Sequence, residues 1–143
     1  MDSRAPPSPT ALIVEGNHPT LDTLHEVLED AGFETTAVDT GTPAMTMLAE
    51  RRFDVLLVDV TLPDMNGLSL CEEARQRYQE RIVILVLSDQ EIEHADWTPL
   101  ADVYGYRPGW GMPSAADQAE IVRLMTATER QGGSARPSAT AQG

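Results

Sequence analysis

The residue best placed to do chemistry is Asp59, which closes the run Phe53-Asp54-Val55-Leu56-Leu57-Val58-Asp59. Val55 to Val58 is continuously apolar, as in a strand buried on both faces of a parallel sheet. The carboxyl ends of such strands form the ligand crevice of an open sheet, so an acid there faces a bound group and not the core. The plainer reading is that Asp59 merely caps a turn. Pro63 and Gly67 punctuate the segment that follows, before the next helical pattern begins. Two other apolar runs end in polar residues: Ala11 to Val14 leads into Glu15-Gly16-Asn17, and Ile82 to Leu87 into Ser88-Asp89.

Other chemistries have less support. Cys71 falls inside an amphipathic helical pattern with no histidine or basic neighbour to activate it, so it reads as a small core residue. His18, His25 and His94 lack the spacing of metal ligands on one helix face, and exposed or capping roles suit them better. No Ser/His/Asp constellation suggests a hydrolase, and no enzymatic turnover is expected beyond autophosphorylation. A net charge of −13, with ten scattered arginines and no lysine, argues against direct nucleic-acid binding. Neither a signal peptide nor an apolar run of membrane-spanning length is present, so a cytoplasmic protein without membrane contact is expected.

The positioning elements follow from periodicity. Residues 1–10, with Pro6, Pro7 and Pro9, read as a disordered leader, and 131–143 as a disordered tail or linker. After the Ala11 to Val14 strand, Leu21, Leu24, Val27, Leu28 and Ala31 predict a helix from Pro19 to Ala31, ended by Gly32. Phe33 to Val38 reads as a second strand. Thr42 is the expected cap of a helix that opens with Pro43 and turns Ala44, Met47 and Leu48 inward. Leu68, Cys71, Ala74 and Tyr78 mark a third helix, and Ile82 to Leu87 a fourth strand. Gln90 to Trp97 gives two helical turns before Pro99, and Val103 to Tyr106 a fifth strand weakened by Gly105. A loop at 109–113 and a last helix from Ser114 to Arg130 complete the chain. This alternation predicts an α/β, doubly wound fold.

The string Leu62-Pro63-Asp64-Met65-Asn66-Gly67 after Asp59 resembles the phosphoacceptor segment of bacterial response-regulator receiver domains. The resemblance spans residues 11–130 and implies a flavodoxin-like, five-stranded parallel sheet of order 2-1-3-4-5. It implies Asp59 as phosphoacceptor, Ser88 and Arg107 as phosphoryl-binding groups, and Ser88 with Tyr104 as the switch pair. Asp59, Glu15 and the Thr61 carbonyl are the implied Mg2+ ligands. Phosphoryl transfer to a carboxylate needs mainly positioning and positive charge, which such a set supplies.

Three departures set this chain apart from the family pattern. Where the family has two adjacent acids after the first strand, this chain has Glu15-Gly16, so the second acid has no side chain. Mg2+ is bound through one or two carboxylates in strict octahedral geometry, and even losses behind the ligands cost roughly 10 to 100-fold in affinity. Mg2+ binding is therefore expected to be weak or absent. Arg107-Pro108 stands where the family has Lys-Pro, and a planar fork does not reproduce a point charge. Ser88 and Arg107 lie 19 positions apart (107 minus 88), fewer than the resemblance leads one to expect, which predicts a shortened fourth helix. The loop after Arg107 is lengthened and carries Trp110.

In receivers this remodelled region belongs to the face of the fourth helix, fifth strand and fifth helix that is used for dimerisation and output. Trp97, Trp110 and Tyr104 are candidate interface residues there, against simple local packing. The resulting expectation is an atypical receiver of a two-component pathway. It would signal mainly through protein contacts, with a sensor kinase or effector as partner and a homodimer allowed. A working phosphoacceptor at Asp59 is the first alternative. A small-molecule-binding α/β domain is the second, weakened by the single glycine in the Glu15 to Pro19 loop, where a phosphate cradle needs several.

Overall fold

The computed structural model describes residues 8–88 and 91–106. Strand β1 (Thr10–Val14) is followed by α1 (His18–Asp30), β2 (Glu34–Val38), α2 (Gly41–Glu50) and β3 (Val55–Asp59). Then come α3 (Gly67–Tyr78), a 3-10 turn at Gln79–Arg81, β4 (Val83–Ser88), α4 (His94–Trp97) and β5 (Val103–Tyr106). All neighbouring strands pair in parallel, in the expected order β2-β1-β3-β4-β5.

Strand periodicity divides the core in two. Leu12, Val14, Leu56, Val58, Ile84 and Val86 face Ala44, Leu48, Leu70, Cys71 and Ala74 of α2 and α3. The alternate residues Ala11, Ile13, Val55, Leu57, Val83, Leu85 and Leu87 pack with Leu21, Leu24 and Leu28 of α1. The central strands are apolar over Ala11–Val14, Val55–Val58 and Val83–Leu87 because helices cover both faces. Cys71 is buried, and desolvation pushes its thiol up to about 12, which makes it a core residue and not a nucleophile.

Several boundaries differ from the sequence reading. Thr10, expected in the leader, opens β1, and the Pro9 carbonyl accepts the Glu34 amide at 2.8 Å. Thr42 does not cap α2: that helix begins at Gly41, and the Thr40 side chain makes no capping bond. The donors at its start are satisfied from elsewhere in the chain. The two turns expected over 90–97 reduce to His94–Trp97, a fourth helix shorter still. The caps of α1 and α3 are Asn17, which accepts from the Thr20 amide, and Asn66, which accepts from the Leu68 amide. Gly32 ends α1 in the left-handed region, at φ 100°. Residues 1–7, Arg107, Trp110, the helix expected from Ser114 to Arg130 and the 131–143 tail lie outside the described residues.

Candidate functional site

Adjacent strand ends bring Glu15, Asp59 and Ser88 to one rim. Val14 pairs with Val58 and Asp59 with Leu87, so the residues in question sit at or one step beyond these pairs. Their relative exposures of 1%, 4% and 1% show that all three are withdrawn from bulk water. Thr61 donates its amide to Asp59 Oδ1 at 3.1 Å, and Asn17 donates its amide to Glu15 Oε2 at 3.0 Å. Two buried carboxylates side by side form a hard-oxygen donor set of the kind Mg2+ takes. Among the described residues, however, no group of three or more His, Cys, Asp or Glu is assembled for a metal.

The loop after Asp59 is tightly closed. Val60 donates to the Leu87 carbonyl at 2.9 Å, Gly67 donates to the Val60 carbonyl at 2.7 Å, and Thr61 and Asn66 form an antiparallel bridge. At its tip Asp64 reaches α2: Oδ1 accepts the Gly41 amide at 2.7 Å, and Oδ2 accepts the Thr42 amide at 2.9 Å and the Thr42 hydroxyl at 2.7 Å. These bonds, the Gly41 amide first, favour the ionised form and hold the Asp64 carboxyl down at about 2. Asp64 is thus the cap that sequence reading assigned to Thr42. Nothing in its local sequence announced this, since it lies 22 or more residues from its partners.

Gly16 lies against the same loop. A Cβ built there would stand 3.3 Å from Pro63 Cδ and 3.5 Å from Pro63 Cγ. A side chain at position 16 would need the Pro63 ring to give by a few tenths of an ångström.

Tyr104 and Trp97, both interface candidates, lie against each other. Their rings stack at 5.2 Å with 25° between planes, and His94 meets Trp97 edge-on at 5.2 Å. The Tyr104 hydroxyl accepts the Ile92 amide at 2.9 Å. Trp97 is half-buried and packs on the α2/α3 side of the core. The other histidines lie against carboxylates: His18 Nε2 is 2.9 Å from Asp39 Oδ2, and His25 Nε2 is 3.4 Å from Glu29 Oε2. Arg107 and Trp110 lie outside the described residues.

The family model of the response regulator receiver domain matches residues 11–103, more than half of the chain's 143 residues. The chain belongs to the response regulator receiver domain family. Solved receivers share its fold. A CheY-like receiver domain from Methylobacillus flagellatus is 27% identical, with a TM-score of 0.67 over 83% of this chain and 99% of that one. A CheY-like receiver from Methanospirillum hungatei JF-1, 23% identical, gives 0.74 over 88% and 100%. The receiver domain of a sensor histidine kinase from Pseudomonas aeruginosa PAO1, with magnesium ion coordinated in the active site cleft, is 22% identical with a TM-score of 0.68 over 85% and 97%. The receiver described here is a two-component signalling module, a class that works through protein partners. No helix among its described residues is long and apolar enough to cross a membrane.

Proposed function

We propose that this receiver keeps the phosphoryl-accepting side of its site in Asp59 and Ser88 but holds Mg2+ weakly or not at all. It signals mainly through protein contacts on the face built on α4 and β5. The observation that carries this reading is Gly16 itself, directly after Glu15 at the strand-end rim, where the family's second acid would begin and this chain has no side chain. Glu15, Asp59 and the Thr61 carbonyl are the residues that would hold the ion. The set matches Mg2+ in kind and falls short of the family by one carboxylate. When bound, Mg2+ would neutralise developing charge on the transferred phosphoryl group. Asp59 would accept that group, and Ser88 would hydrogen-bond it. No enzymatic turnover of its own beyond autophosphorylation is assigned.

Support for the output face comes from Trp97. Its stack on Tyr104, with both rings half-buried, offers an aromatic pair of the kind that anchors protein interfaces. A sensor kinase or a downstream effector is the partner class, and a second copy of the chain would use the same face.

The competing reading is an ordinary phosphoacceptor, favoured by the burial of Asp59 and Ser88 at neighbouring strand ends. An NMR titration with beryllofluoride and MgCl2 separates the two. Saturable shifts near Asp59 and Tyr104 at millimolar Mg2+ establish the ordinary receiver; their absence is the result expected here.

A further inference from the structure

We propose that Asp64 is a positioning residue for the phosphoacceptor cleft, acting through the loop that links Asp59 to α3. The inference rests on reading Asp59 as the phosphoacceptor. Residues 60–67 form a short closed arm, pinned at its base by the Gly67 to Val60 hydrogen bond and braced by the Thr61–Asn66 bridge. One side of the arm touches the acceptor directly, through the Thr61 amide on Asp59 Oδ1. Its tip is held 22 and 23 residues away in sequence, where the Asp64 carboxylate takes three hydrogen bonds from Gly41 and Thr42. The neighbouring residues fix the same arm. Pro63 lies against Gly16, and Met65 lies over Gly41 so closely that a Cβ there would collide with its side chain.

A braced arm of this kind transmits displacement, because its base hydrogen bonds leave few internal ways to absorb one. Releasing the tip therefore moves Thr61 and Pro63 together, which alters the hydrogen bond on the Asp59 carboxylate and the packing on Gly16. The N-terminal turn of α2 is an ordinary partner for a carboxylate, since its amides point outward and carry the positive end of the helix dipole. The unusual feature is that this carboxylate comes from the acceptor loop. Coupling of this kind is reciprocal: whatever occupies the cleft also shifts the first turn of α2.

The test compares the full 15N-labelled chain with Asp64→Ala and with Asp64→Asn, which keeps one acceptor oxygen in place. The expected result is that Asp64→Ala shifts the Thr61 and Gly67 amides as well as those of Gly41 and Thr42. Asp64→Asn should return Thr61 and Gly67 towards their original positions. Shifts confined to Gly41 and Thr42 overturn the proposal, as does an Asn variant that displaces Thr61 as far as Ala does. Where the parent chain takes up beryllofluoride with Mg2+, its affinity should fall in Asp64→Ala and recover in Asp64→Asn; unchanged affinity in Asp64→Ala also overturns the proposal. Should the parent take up none, the ordinary phosphoacceptor fails on that result, while the Thr61 and Gly67 shifts still decide the role of Asp64.

Discussion

Gly67 lies so close to the backbone of Asp59 that a Cβ at position 67 would collide with the Asp59 carbonyl oxygen, and would stand 3.0 Å from both the Asp59 carbonyl carbon and Val58 Cγ2. The motif glycine is therefore a space requirement of the acceptor itself. Its amide completes the closure by donating to Val60.

Gly67→Ala should destabilise the fold by about 2 to 3 kcal/mol, the upper range for forcing atoms into a packed interior, because the obstacle is backbone and cannot rotate away. Urea unfolding reads the loss, and the Thr61 amide shift should report a displaced Asp59 loop. A midpoint equal to that of the parent chain would show that the loop has room to spare.

Gly16→Asp restores the acid that the family places after β1. It should tighten divalent binding at least tenfold, about 1.4 kcal/mol, once the Pro63 ring gives way by a few tenths of an ångström. Gly16→Ala is the control, since it meets the same proline without adding a ligand and should leave Mg2+ affinity unchanged. Calorimetry on the three proteins checks this. A null result with Gly16→Asp would place the weakness of the clasp elsewhere.

Arg75 holds the opposite end of the sheet. Its guanidinium donates to the carbonyls of Gln79 (2.6 Å), Ile82 (3.1 Å) and Leu100 (3.1 and 3.3 Å), and to Asp102 Oδ2 at 3.0 Å. Asp102 also accepts the Ile84 amide at 2.8 Å, and its side chain is fully buried, while that of Arg75 is 13% exposed. Removing one member of a buried pair strands the other's charge and costs about 3 to 5 kcal/mol. Arg75→Met should lose that much in chemical denaturation, and Arg75→Met with Asp102→Leu should recover part of it. A single variant as stable as the parent would show that the pair is dispensable.

The sequence carried the architecture because its instructions are local. Uninterrupted apolar runs such as Val55–Val58 require cover on both sides, and the repeats in α1 and α3 each present one face to a sheet. Asp59 and Ser88 were legible for the same reason, since a polar residue that ends such a run must lie at the rim. The caps Asn17 and Asn66 are equally local, each an asparagine directly before its helix. Thr42 was misread because its own hydroxyl and amide are bound by Asp64, and a donor's partner far along the chain leaves no mark on the donor's neighbours.

Composition and periodicity thus determined, by themselves, which residues would be buried, that strands and helices would alternate, and that Asp59 would stand at a strand end. Only the tertiary structure decided that Pro63 fills the place beside Gly16, that Asp64 ties the acceptor loop to α2, and that Arg75 and Asp102 lock α3 to the turn before β5. These contacts join residues distant in sequence, and their energies depend on distances of a few ångströms that exist only after the sheet has brought its loops together.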